Sequence, residues 1–180
     1  MAMDLLILPK LISLLDFFMK HILLAAFAWL QCLAFNHAQT YKDTTFTDPV
    51  VISFAPDFVT FENCRFVGIN GPALTIEGSG VLIADCIFED IQGVAVLSYF
   101  SEVYLTNDTI RGVEGNGVVG EFGALIVLDC NLTNISGTAI QFNTIEVAEV
   151  NGCQISHAGS GIFCQGSLDL SEALLVNNQI

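Results

Sequence analysis

Positive charge is scarce in this chain of 180 residues. Five Lys and Arg stand against nineteen Asp and Glu, for a net charge of −14. Beyond Ala38 the only Lys or Arg residues are Lys42, Arg65 and Arg111, against seventeen carboxylates. Such a surface repels nucleic-acid phosphates and anionic lipid, which sets both aside as partners. Histidine is scarce too, with His21, His37 and His157 alone, and the lone His157 reads as a turn residue rather than a base. The six cysteines include no C-x-x-C spacing, so a structural zinc site is not expected. Nucleophile elbows and phosphate-binding glycine loops are missing, and so is any helical stripe sustained over ten residues. Low hydrophobicity is absent as well: 53% of residues are apolar, which excludes a disordered acidic tail.

What the chain does have is a period of 22 residues. Gly71, Gly93, Gly115, Gly137 and Gly159 are evenly spaced, as are Ala73, Ala95, Gly117, Ala139 and Gly161, and Leu74, Val96, Val118, Ile140 and Ile162. A fourth column reads Val59, Val81, Val103, Leu125, Val147. Apolar residues also recur in the columns Phe66, Phe88, Ile110, Leu132 (with Ile155 one residue late) and Ile69, Ile91, Val113, Ile135. Units of this kind cannot bury their apolar faces alone and must stack. Within a unit the apolar residues alternate in short runs broken by glycine, the pattern of strands and turns. The fold class expected is all-β: a right-handed parallel β-helix solenoid with rungs of about 22 residues, spaced about 4.8 Å apart. Residues 59–180 are read as the solenoid with an incomplete last rung, and 39–58 as an N-terminal cap segment. The polar column Asn63, Asp85, Asn107, Asp129, Asn151 fits tight turns, where Asn and Asp accept left-handed backbone, with amide ladders between layers.

The phrase N-C-x-F-x-x-I-x-G-x-A-[ILV] at Asn63–Leu74 returns at Asp85–Val96 with Asp for Asn. In this the chain resembles the right-handed β-helix proteins of the pectin-lyase-like superfamily. More loosely, G-P-A-L, G-V-A-V and G-T-A-I at 71–74, 93–96 and 137–140 are similar to tetrapeptides of chlamydial polymorphic outer-membrane proteins. The resemblance implies an architecture over residues 47–180. It leaves open lyases, hydrolases, tailspikes and non-catalytic adhesins.

Residues 1–38 lie outside the repeat and read as an apolar leader. Met19 and Lys20 precede the apolar run Ile22–Phe35, with Ala38 near a cleavage point, the layout of a signal peptide. Translation from Met19 is one account of the preceding stretch; a pair of short membrane-embedded helices is the rival. The expected location is secreted, or the cell surface or outer membrane of a bacterium, with membrane contact only through the leader. The sequons at Asn107, Asn131 and Asn134 are incidental in that setting. Cys64, Cys86 and Cys130 share a column that Asp108 interrupts and Cys153 joins one residue late. They read either as buried thiols or, in an oxidising compartment, as a Cys64–Cys86 disulfide.

Three functional readings follow. The outward column Glu77, Tyr99, Glu121, Asn143, Gln165 places two carboxylates two rungs apart, about 9–10 Å, near the upper limit for inverting glycoside hydrolysis. They would serve as acid and base of a carbohydrate-active enzyme, with Tyr99 under the sugar. A lyase needs cations that converge on developing charge, and Arg65 and Arg111 fall in different columns. Calcium at Glu89 and Asp90 is the one metal alternative, and no other cofactor is expected. The third reading is a non-catalytic binding surface. Leu97, Val119, Phe163 and Tyr99, with Phe100 and Phe122 beside them, form an apolar strip for a glycan or a host or cell-surface protein. The sequence stops mid-rung, so a longer protein, or end-to-end association through the uncapped C-terminal rung, is also expected.

Overall fold

The computed structural model describes residues 38–165, 172–176 and 178–179; the leader, the Met19 start and the membrane-helix alternative lie outside these. The described strands form a solenoid in which every pair is parallel. The first rung is β1 (Thr40–Lys42), β2 (Thr45–Phe46) and β3 (Val50–Ser53); the second is β4 (Val59–Glu62), β5 (Arg65–Val67) and β6 (Leu74–Glu77). Below them come β7 (Gly80–Ala84) and β8 (Ile87–Ile91), then β9 (Val96–Thr106), which turns a corner into the next rung. β10 (Thr109–Val113), β11 (Val118–Leu128), β12 (Asn131–Asn143), β13 (Val147–Asn151), β14 (Gln154–Gln165) and β15 (Glu172–Val176) complete the order. The segment expected as a cap is therefore itself a rung, paired through β1–β4, β2–β5 and β3–β6.

Alternation within each short strand sends one set of side chains inward, and the 22-residue rung lays like on like. Val59, Val81, Val103 and Leu125 are buried in one column, Phe66, Phe88, Ile110 and Leu132 in another. Phe66 and Phe88 stack with centroids 4.4 Å apart and rings 3° from parallel, and Phe46 continues the stack above at 4.8 Å.

Two column assignments shift in the last rungs. Leu125 pairs with Ala148, not Val147, and Leu128 with Asn151. The cause is an extra residue at the corner after Asn143. Ile145 is buried there, its Cδ1 only 2.7 Å from where a Cβ on Gly120 would lie, so it fills the space that glycine leaves. Gly152, not Asn151, then completes the turn column, with φ +68 below Asp43, Asn63, Asp85, Asn107 and Asp129 at +51 to +57. A bulge between Ile135 and Thr138 restores the spacing, so that Ile140 meets Ile162. In the last described strand Val176 pairs with Asn151.

The turn column alternates carboxylates with amides that donate to them. Asn63 Nδ2 donates to Asp43 Oδ1 and Asn107 Nδ2 to Asp85 Oδ1, both at 2.5 Å. Just after it, three backbone N–H groups are accepted by side chains of the next rung. Cys64 N–H meets Cys86 Sγ at 3.3 Å, Cys86 N–H meets Asp108 Oδ1 at 2.7 Å, and Cys153 N–H meets Asn178 Oδ1 at 3.0 Å. Serines repeat the device at another corner, where Ala55 N–H bonds Ser79 Oγ and Ser79 N–H bonds Ser101 Oγ. This explains the cysteine column: its sulfurs cap buried donors that would otherwise be unsatisfied. Cys64, Cys86, Cys130 and Cys153 are buried free thiols, not a disulfide. Burial pushes the Cys86 thiol up to about 12, and a hydrogen bond donated to Cys153, then burial, raises Cys130. Protonated thiols of this kind are not nucleophiles.

Asp108 is the outlier of that column. It is 1% exposed, and its Oδ2 has no hydrogen-bond partner. Burial, against two backbone hydrogen bonds, pushes its carboxyl up to about 8. The folded state thus keeps a proton that the unfolded chain releases near 4. Below that value both states are protonated and Asp108 confers no pH dependence. Between about 4 and 8 stability falls with rising pH, by about 1.4 kcal/mol per unit at most, and above 8 the loss is complete. Urea unfolding of Asp108→Asn, which keeps the acceptor for Cys86, should show this slope flattened. The glycine column gives a second expectation. Gly115 has φ +154, and a Cβ there would lie 1.9 Å from the Gly93 carbonyl oxygen. Gly115→Ala should cost about 3 kcal/mol in the same assay, since the obstruction is backbone of the adjacent rung.

Candidate functional site

One face of the solenoid, built from β3, β6 and the leading halves of β9 and β11 with the trailing halves of β12 and β14, carries the candidate residues. Register places Glu77, Tyr99, Glu121, Asn143 and Gln165 in one column as expected. The two carboxylates do not turn towards each other. Glu77 is drawn up to Ser53 Oγ at 2.9 Å, and Glu121 down to Asn143 Nδ2 at 3.3 Å. Each is bonded to the rung beyond it, with the half-buried Tyr99 ring in the column between them. Burial, then the charges of Glu121 and Glu77, raise the Tyr99 phenol above its ordinary value, so its hydroxyl stays a donor at neutral pH.

The neighbouring outward column is Thr75, Leu97, Val119, Gln141, Phe163. Leu97 is half-buried and Phe163 exposed. Val119 is only 5% exposed, so the expected apolar strip is interrupted there and Val119 offers little contact surface.

On the other side of the Glu–Tyr–Glu column lies the corner that leads into the next rung. Its residues are Phe54, Gly78, Phe100, Phe122 and Thr144, all with φ between +48 and +56. Elsewhere in the described chain the non-glycine residues with positive φ are Asn, Asp and one His, types that tolerate this backbone. Phenylalanine does not, and the cost is about 1–2 kcal/mol per residue. These rings also face water: Phe54 is 77% exposed and Phe100 69%. Phe100 and Phe122 stack at 4.6 Å with rings 4° from parallel. Phe54 lies over Gly78, where a Cβ would meet its ring at 2.7 Å. Backbone strain and lost burial thus coincide at one edge, neither of them a contribution to folding.

On another face of the solenoid, in β5, β8 and β10, Arg65 and Arg111 do converge, contrary to the sequence expectation. Both guanidinium groups engage Glu89, with Arg111 Nε 3.1 Å from Oε2. The column offset conceals this because long side chains reach across one rung. Hydrogen bonds from Arg111 and then Arg65 hold the Glu89 carboxyl below the usual range. The triad is a closed ion-pair network, and both oxygens of the carboxylate considered for calcium are engaged by arginine. Lys42 pairs with Glu62 at 2.7 Å. His157 stands at φ +52 in a turn position of β14.

The corner phenylalanines went unread as a set because Phe54 precedes the clean repeat and Gly78 breaks the column. That glycine was the available signal, since it marks the column as left-handed. If the rings are surface features, Phe100→Asn and Phe122→Asn should each change unfolding free energy by less than about 1 kcal/mol, the relief of strain offsetting the lost ring pair. Phe88→Ala, in the buried stack, should cost about 3–5 kcal/mol.

Neither a curated protein nor a solved structure matches this chain. Residues 50–180 match the family described as right handed beta helix region. With that match over most of its length, and with the parallel stack of rungs described above, the chain belongs to the right-handed β-helix family.

Proposed function

We propose that this β-helix is an exported, non-catalytic binding module. It contacts a glycan or a cell-surface partner through the Phe54–Phe100–Phe122 corner and the adjoining Tyr99 column. The observation that carries this reading is the coincidence of exposure and left-handed backbone at three phenylalanines along one corner, since residues that cost stability twice are retained for contact. Export is supported by the run Ile22–Phe35 behind Met19 and Lys20. The bonding of Glu77 and Glu121 to the rungs beyond them favours binding over hydrolysis, because a general acid and base must both reach one glycosidic bond.

The test is to probe the purified chain on a glycan array and on intact cells, alongside reducing-end release from the glycans it binds. Retention without release is the expected result, at least tenfold weaker (about 1.4 kcal/mol) in Phe100→Asn/Phe122→Asn. Release that disappears in Glu77→Gln or Glu121→Gln would establish the enzymatic alternative instead.

A further inference from the structure

We infer that the occupant of this face is a glycan bearing free amino groups, a polymer of 2-amino sugars in their ammonium form. The inference rests on the binding-module reading and adds the chemistry of the ligand. Charge is the first argument. The column beside the phenylalanines presents Glu77 and Glu121 on either side of Tyr99, while Lys42, Arg65 and Arg111 are all paired with carboxylates elsewhere. With a net charge of −14, the face repels uronates, sulfated sugars and a second copy of this chain, and attracts cations. Aromatic rings beside carboxylates are the environment that favours an ammonium group.

The second argument separates a sugar from a basic peptide. The strands of this face bond to the rungs above and below, so its interior presents no free edge for an added strand. Recognition falls to side chains: the Tyr99 hydroxyl and ring, the amides of Gln141 and Asn143, two carboxylates and the Phe100–Phe122 pair. Hydroxyl-rich rings use that mixture of amides, carboxylates and aromatic surface. A peptide would leave its own main-chain groups unpaired against it.

The experiment compares a hexamer of β-1,4-linked glucosamine with its fully N-acetylated form, which differ in charge and not in backbone, by calorimetry on the full chain at two salt concentrations. The glucosamine hexamer should bind about tenfold more tightly, with the difference shrinking as salt screens it. Glu77→Gln/Glu121→Gln should erase the preference and keep the weaker binding; Phe100→Asn/Phe122→Asn should weaken both sugars. Equal affinity for the two hexamers, or a preference that survives in the glutamine variant, overturns the amino-sugar inference and leaves a glycan module. Capture of oligolysine but neither sugar overturns it in favour of a peptide partner. If no carbohydrate binds and cell binding is indifferent to the phenylalanine changes, the binding-module reading falls too. The hexamer comparison needs only the unmodified chain, so a variant that misfolds does not remove the test.

Discussion

Parallel backbone hydrogen bonding between rungs is the constraint to which everything else here is subordinate. A strand in this solenoid has no partner within its own coil, so each rung is held only by the coils above and below. Bonding of that kind demands equal coil lengths and turns that close in the same place. The left-handed residues supply the turns, and the inward N–H groups next to them are met by Cys, Ser, Asp or Asn from the adjacent rung. Core packing follows from this, because equal coils bring side chains of one type into vertical contact.

Length errors in such a stack have to be absorbed locally. The extra residue near Ile145 shows how: its side chain occupies volume beside Gly120, and the bulge in the following rung takes up the difference. The close approach of Gly93 to Gly115 shows the reverse case, in which the corner is so tight that no side chain fits. A β-helix therefore tolerates insertion where a neighbouring rung has left space, and resists it at the glycine corner.

Much of this was legible in the amino-acid sequence. The glycine, alanine and branched-aliphatic columns identify the rungs from Val59 to Asn143, because a strict period and an inward face leave few alternatives. Val147 and Asn151 were misplaced because composition at 22 residues looks as suitable as at 23, and only the space beside Gly120 decides between them. The Glu77–Tyr99–Glu121 column was readable, but the direction in which each carboxylate leans depends on Ser53 and Asn143. The convergence of Arg65 and Arg111 on Glu89 depends on side-chain length, which a column diagram ignores. Phe100 and Phe122 were readable as neighbours of the outward apolar strip, but Phe54 and the left-handed backbone all three share were not, since handedness is not written in residue type when the type is the wrong one for the turn.

The alternation of Asp and Asn down the turn column has a bearing on how this molecule ages. Hydrolysis of one side-chain amide, at Asn63 or at Asn107, would turn a donor into an acceptor and place three aspartates in succession: 43, 63 and 85, or 85, 107 and 129. Like charges directly opposite one another on adjacent strands repel, and here they are fixed about 4.8 Å apart by the rungs themselves. Hydrolysis of a single amide would therefore loosen the corner on both of its neighbours, so the lifetime of the fold is tied to two amide groups.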